Sequence, residues 1–244
     1  MANFPQHMDH TLARRLPSKV DLPRVRYMRE PVPLHFPVQA EVPEGFNHLL
    51  VRTFLFELLR FVLGDEHCVG SDQFIYWNAR NPRRCLSPDV YVRFNQPQDC
   101  DIRSWKTWER GTPELAVEFI SPNEDDGIEW EEKVARYHEL GIQELVRFDP
   151  LEPEGKQLRV WDRVKGDLVE RAIEGDTTPC AMLQLTWVVR PIPDAPYALR
   201  LVDANGDLVL SQFETQEKAL ETEKKAREAA EAREAAAEAR EAAA

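Results

Sequence analysis

The chain has 244 residues, 43% of them hydrophobic and 9% aromatic, which is enough apolar material for one large domain or two small ones. Its formal net charge is -12; the tail from Glu214 holds six Lys/Arg against nine Glu, so -3 of that charge sits there and -9 on the rest. A body this acidic repels phosphate at long range, so tight nonspecific binding to nucleic acid would need local basic patches or a bridging metal.

No apolar run reaches the length of a membrane span. The N-terminal MANFPQHMDHTLARR offers no apolar stretch to act as a secretion signal, so a cytoplasmic location is expected. Cys68, Cys85, Cys100 and Cys180 are widely spaced with no CxxC pair, which points to reduced thiols rather than to structural zinc or a disulfide framework.

Residues 1–40 are rich in Pro and Arg and read as an irregular arm. Arg14, Arg15, Arg24, Arg26 and Arg29 could meet phosphates there or lie in a solvated tail. The first helix is expected over Gly45 to Leu63, with Leu50, Phe54, Leu58 and Phe61 at helical spacing. Leu49, Leu55, Leu59 and Val62 widen its apolar face, and Glu44, His48 and Glu57 are its ionisable candidates, as caps or exposed residues before ligands. Cys68 to Trp77 and Leu86 to Phe94 read as two strands joined by the turn-rich NARNPRR. In the second, Val90, Val92 and Phe94 share one face, and Asp89, Tyr91 and Arg93 the other. Asn95 to Thr112 is a polar connection carrying Trp105 and Trp108, for which a lid and a substrate-side loop are both open.

The chain is organised around Pro113 to Pro150. Glu114 to Ile120 is an apolar strand with Ala116, Glu118 and Ile120 on one face and Leu115, Val117 and Phe119 on the other, a pattern expected of a strand covered on both sides. A carboxylate inside such a strand is costly unless something cationic compensates it. An acidic loop follows Ser121-Pro122, and a second helix is expected over Glu129 to Leu140, capped by Gly141. Trp130, Val134 and Tyr137 define its apolar stripe, and Lys133 falls on the inward edge. Gln143 to Phe148 returns as a strand, and Leu158 to Trp161, Leu168 to Ala172 and Leu185 to Val189 read as short strands. Asn205-Gly206 within LVDANGDLVL is a hairpin signal. From Glu214 the Glu/Ala/Arg/Lys sequence reads as a solvated single helix, since Leu220 is its one large aliphatic residue and no coiled-coil seam recurs.

Asp89, Glu118 and Lys133 form the candidate site. Two acids on neighbouring strands can hold a divalent ion such as Mg²⁺, and a lysine beside them can orient a water, or deprotonate it as the neutral amine, and as the ammonium offset charge in a phosphorane-like transition state. Taken singly, Asp89 also fits a turn after Pro88, and Lys133 could run along Tyr137 to solvent. Asp149 and Tyr137 read as a strand-end turn and a core contact.

Ser87-Pro88-Asp89-Val90, then Pro113-Glu114-Leu115-Ala116-Val117-Glu118-Phe119-Ile120-Ser121-Pro122, then Glu132-Lys133 with Tyr137 and Gly141, then Phe148-Asp149-Pro150, resembles the Uma-two family of endonucleases. That family is a branch of the PD-(D/E)XK superfamily, and the resemblance covers roughly residues 40–190. It implies an α/β fold with a restriction-endonuclease-like core, a mixed sheet flanked by helices. It also implies Asp89 and Glu118 as metal ligands, with the Phe119 backbone carbonyl as a third. Ile120 stands where the superfamily's strand lysine would be, and the helix residue Lys133 matches the displaced lysine of this branch. The expected organisation is an arm at 1–40, a nuclease domain at 41–212 and a C-terminal solvated helix at 213–244.

The expected activity is Mg²⁺-dependent hydrolysis of DNA, with Mn²⁺ as a substitute ion and a homo-oligomer as an open possibility. The alternatives are an inactive nuclease-fold module that assembles through its tail, and a nuclease acting on RNA, since no motif distinguishes the sugar.

Overall fold

A computed structural model describes residues 34, 36, 45–98, 103–121 and 128–242. The arginines of the N-terminal arm, Glu44, Cys100 and the acidic loop at 122–127 lie outside these residues. The helices are α1 (Phe46–Leu63), α2 (Thr107–Arg110), α3 (Trp130–Leu140) and α4 (Gln212–Ala242).

The main sheet has six strands: β1 (Cys68–Gly70), β4 (Val90–Arg93), β6 (Leu115–Phe119), β7 (Glu144–Phe148), β8 (Leu158–Val164) and β9 (Asp167–Glu170), in the order β1-β4-β6-β7-β8-β9. Only β6 and β7 run parallel in it, because α3 carries the chain across between them. A second sheet is antiparallel, β10 (Thr177–Cys180), β11 (Leu185–Ile192) and β12 (Ala195–Val202). A small third sheet orders β3 (Cys85–Leu86), β2 (Ile75–Tyr76) and β5 (Trp105–Lys106). The fold is therefore mixed α/β, with mixed sheets flanked by helices and a C-terminal helix, as expected.

The alternation along β6 sorts two cores. Leu115, Val117 and Phe119 join Val90, Val92, Val146 and Phe148 in one cluster, covered by Leu55, Leu58 and Leu59 of α1 and by Trp187, Leu199 and Leu201 of the second sheet. Ala116, with Tyr91 and Leu145, belongs to the other cluster, covered by Tyr137 and Leu140 of α3 and by Ile75 and Trp105 of the small sheet. All five residues of β6 are buried, so Glu118 has no route to bulk water along its own strand.

Several boundaries differ from expectation. Cys68 to Trp77 is two strands, because Ser71 to Phe74 leaves the main sheet and β2 pairs in the small one. Leu86 to Phe94 divides in the same way around Ser87-Pro88-Asp89. Trp105 is no part of a lid: it is fully buried in β5, pairs in parallel with Ile75, and its indole N–H donates to the Gly111 carbonyl at 2.8 Å. The buried stripe of α1 is Val51, Leu55, Leu58 and Leu59, leaving Leu49, Phe61 and Val62 exposed. The turn at Asn205-Gly206 closes on a single bridge, Val202 to Leu208, rather than on a second full strand.

Glu144, fully buried in β7, ties the main sheet to the second one. It accepts from the Trp187 indole N–H at 3.1 Å and the Met182 backbone N–H at 3.1 Å. α4 begins with a reciprocal cap: Ser211 N–H donates to Glu214 at 2.8 Å, and Glu214 N–H donates to the Ser211 hydroxyl at 3.2 Å. Arg200 of β12 pairs with the same glutamate at 2.9 Å. Beyond this anchor the helix is exposed on every described side, Leu220 included.

Two outcomes follow. A Cβ at Gly70 would come within 2.1 Å of the fully buried Tyr91 ring. Gly70→Ala is expected to destabilise by about 1–3 kcal/mol, measured as a lowered urea midpoint. Truncation after Thr222 keeps the cap and the Arg200 pair, so it is expected to leave both the melting temperature and the solution mass per subunit number unchanged; a lower oligomeric state on truncation would give α4 an assembly role.

Candidate active site

Asp89 stands just before β4, and Glu118 is the fourth residue of β6. The antiparallel register pairs Val90 with Val117, so its next step sets Asp89 opposite Glu118. Side chains directly opposite in such a ladder have Cβ atoms about 5 Å apart, and like charges there repel. Both acids are buried, at 7% and 2% exposure. Asp89 Oδ2 accepts the Phe119 backbone N–H at 2.7 Å, which locks the aspartate across the strand end.

α3 answers the buried charge. Lys133 and Tyr137 are four residues apart and so share a helix face. Lys133 Nζ is 2.9 Å from Glu118 Oε2, and the Tyr137 hydroxyl donates to Oε1. The Lys133 side chain is 16% exposed, its stem leading inward as the helical wheel indicates. The helix ends where it must for this register: Gly141 adopts a left-handed conformation at φ 96° and its N–H donates to the Tyr137 and His138 carbonyls.

α1 contributes the other flank. His48 Nε2 lies 2.8 Å from Asp89 Oδ1. One turn on, Arg52 donates to the Ser71 hydroxyl at 2.6 Å, and Ser71 donates to the Asp89 backbone carbonyl at 2.7 Å. Both the side chain and the main chain of Asp89 are thus held. His48 was visible in the sequence as an ionisable residue, but a single histidine on an apolar helix carries no sign of its partner. Tyr137 was visible only as a core residue; its hydroxyl meets Glu118 because Lys133 and Tyr137 repeat at helical spacing. Asp149 turns the chain after β7, pairing with Arg147 at 2.8 Å and accepting the Leu151 N–H at 3.1 Å.

Burial pushes the Glu118 carboxyl up to about 7; Lys133 opposes this, the Asp89 charge adds to it, and the Tyr137 hydrogen bond opposes it. Burial beside a lysine and a second acid is a setting in which a carboxyl pKa moves toward neutrality.

The donor set suits a hard cation. Two buried carboxylates face each other across one ladder, and their mutual repulsion is the feature that a divalent ion would relieve. Among the described residues no group of three or more His, Cys, Asp and Glu side chains is disposed to hold an ion. Any ion would therefore rely on the two acids, a backbone carbonyl and water, a mixture that Mg²⁺ accepts.

The fold and these groups define an α/β protein with a buried acid pair at two interior strands of the main sheet and a lysine reaching them from a flanking helix. The chain matches, over residues 38–193, the model of the Uma2 family, described as "Putative restriction endonuclease", and it belongs to that family. Among solved structures it is similar to a protein from Anabaena variabilis ATCC 29413 described as "a putative nuclease belonging to DUF820". The two are 12% identical, with 58% of this chain and 75% of that one covered and a TM-score of 0.43. No curated protein matches the chain. No helix among the described residues is long and apolar enough to cross a membrane.

The Glu118 environment has a measurable signature. The folded state holds this proton more tightly than the unfolded chain, whose glutamate titrates near 4.5, so folding is penalised progressively between pH 4.5 and about 7. Glu118→Gln cannot titrate. Its stability relative to the native chain is expected to rise by roughly 3 kcal/mol across that window and to be flat above and below it. Urea denaturation of both proteins from pH 4 to 8.5 reads the difference.

Proposed function

We propose that the protein is a metal-dependent endonuclease that hydrolyses DNA phosphodiester bonds, with Asp89, Glu118 and Lys133 as its catalytic residues. The observation that carries this is the Glu118 carboxylate, buried in β6 yet held 2.9 Å from the Lys133 ammonium and facing Asp89 across the ladder. Family membership supports a nuclease.

Asp89, Glu118 and the Phe119 backbone carbonyl would hold a divalent ion, Mg²⁺ or in its place Mn²⁺. Bound there, the ion would supply Lewis acidity toward a phosphoryl oxygen and a lowered pKa for a coordinated water. The remaining work belongs to the chain. Lys133 orients the attacking water and sets positive charge where the transition state gathers negative charge, the contribution that dominates phosphoryl transfer. Tyr137 fixes Glu118 Oε1, so that Oε2 keeps its place beside Lys133. His48 and Ser71 hold Asp89 from its side chain and its backbone, preserving the spacing of the acid pair. The covered strand faces keep bulk water from competing for these groups.

An inactive module that assembles through its C-terminal helix is the alternative that the net charge of -12 favours. α4 lends it little, because its described surface is exposed and lacks an apolar seam.

Supercoiled plasmid incubated with Mg²⁺ or Mn²⁺ is expected to be nicked by the native chain. Glu118→Ala and Asp89→Asn are expected to lose the activity, and Lys133→Ala to lose on the order of a hundredfold or more. Equal nicking by the native chain and Glu118→Ala would trace the cleavage to a contaminant and overturn the assignment. Tyr137→Phe removes a bond that holds the Glu118 carboxyl down, so the acid limb of its kcat/KM profile is expected to move to higher pH.

A further inference from the structure

α1 carries a second stripe beside its fully buried one, with Phe56 packed partly against the core. Arg52, Phe56 and Arg60 follow one another at four-residue steps, each beside the next along the helix, and His48 stands one step before Arg52. His48 meets the Asp89 carboxylate, and Arg52 reaches the Asp89 backbone through Ser71. The rest of the stripe borders a cleft of about 440 Å³ between α1 and β1, lined by polar groups of Arg52, Glu57, Arg60, Ser71, Gln73 and Gln98.

β1 is the edge strand of the main sheet, where exposed N–H and C=O groups would ordinarily invite another strand. Gln98 occupies that edge instead. Its side chain accepts the Val69 N–H at 2.9 Å and donates to the Val69 carbonyl at 3.3 Å. Gln73 is held by the Tyr91 hydroxyl, which donates to it at 2.6 Å. The walls of the cleft are therefore fixed by side-chain bonds, and its floor is closed to strand addition. Arg60 is different. Its guanidinium lies over the Phe56 ring at 5.9 Å, and among the described residues no carboxylate forms an ion pair with it. A guanidinium supported on an aromatic face and bordering an open cleft can take an oxyanion from solvent.

We infer that this cleft is an anion subsite for the nucleic-acid backbone, in which Arg60 contacts a phosphate away from the bond that is broken. The inference rests on the nuclease function proposed above and extends it from the bond to the strand that carries it. Three helical steps of four residues separate His48 from Arg60, roughly 18 Å along the axis. At a rise of about 3.4 Å per nucleotide of one strand, that is about five nucleotides from the acid pair. Arg52 couples the two places, since it borders the cleft and also bonds Ser71, which holds the Asp89 backbone. Glu57 lines the same cleft and opposes the arginines, so the subsite is tuned below the affinity that its cations alone would give. A phosphodiester is the ligand class; the sugar is not read by these groups, and DNA and RNA of one sequence distinguish the two sources.

The test uses the full chain without divalent ions, so that binding is read without cleavage. Anisotropy of a fluorescein-labelled DNA duplex, and of the RNA of the same sequence, is followed across a salt series for the native chain, Arg60→Gln and Glu57→Gln. Arg60→Gln is expected to weaken binding about five- to tenfold at low salt and to reduce the log–log salt slope by about 1. Glu57→Gln is expected to strengthen binding severalfold, an outcome that damage to the fold cannot mimic. In the plasmid assay, Arg60→Gln is expected to raise KM with kcat unchanged. If both variants bind like the native chain while the native chain nicks DNA, the subsite is overturned and the hydrolytic function stands. If binding follows Arg60 and Glu57 but nothing is nicked with any metal, the subsite stands and hydrolysis is overturned. Absence of both binding and nicking overturns both.

Discussion

The structure depends on one unfavourable placement, a carboxylate in the middle of a strand that is buried on both faces. Removing such a group from water costs several kcal/mol unless opposite charge and hydrogen bonds compensate it. Lys133 and Tyr137 supply both, and they can do so only if α3 crosses the sheet at one register. That register is in turn limited by the left-handed Gly141, which ends the helix at Leu140 and delivers the chain to β7. The parallel pairing of β6 with β7, the length of α3 and the ionisation of Glu118 are consequences of a single constraint.

The second acid adds a demand that the first does not explain. Asp89 faces Glu118 across the ladder, where two like charges destabilise each other. The fold nevertheless holds Asp89 from three directions: the Phe119 N–H, His48 and, through its carbonyl, Ser71. A chain selected for stability alone would be better served by an apolar residue at either position. Holding both acids in place against their repulsion is what a site for a cation requires. The two layers share the task, with α3 serving Glu118 from one face and α1 serving Asp89 around the strand end from the other.

What could be read from the sequence follows the physics of each element. The period-two pattern of β6 and the stripe of α3 are strong signals, because both are set by burial over several residues; they were enough to put Lys133 on the inward edge beside Glu118. The extent of the strands was less legible. Cys68 to Trp77 is apolar enough for one strand, and only the pairing partners of β2 reveal that it belongs to two sheets. β5 carries no strand signal, because two residues of strand leave no periodicity and a buried tryptophan within a polar stretch looks like a loop residue. In the second sheet the sequence pattern marks part of β11, whereas Pro179 in β10 and Pro196 in β12 interrupt the strand signal of their neighbours. His48 and Tyr137 share a different obstacle. Each takes its meaning from a residue tens of positions away, and local pattern does not encode that partner.

An acidic protein that acts on an acidic polymer presents an apparent conflict, which distance resolves. Charges separated by more than about 8 Å of physiological solution are largely screened from one another. The net charge of -12 therefore governs how often a nucleic acid approaches, and the groups at the site govern what happens on contact. Part of the negative charge is carried by α4, whose exposed Glu/Arg/Lys surface includes pairs along the helix, Lys225 with Glu221 and Arg227 with Glu231. Around the acids the balance is different, with Lys133 against Glu118 and Arg52 reaching the Asp89 backbone through Ser71. On the proposed function, such a distribution would suppress indiscriminate binding to nucleic acid while leaving cations beside the acid pair. Affinity must then come from a few close contacts rather than from a broad electrostatic field, which makes each cation on the α1 side of the site count for more than it would on a basic protein.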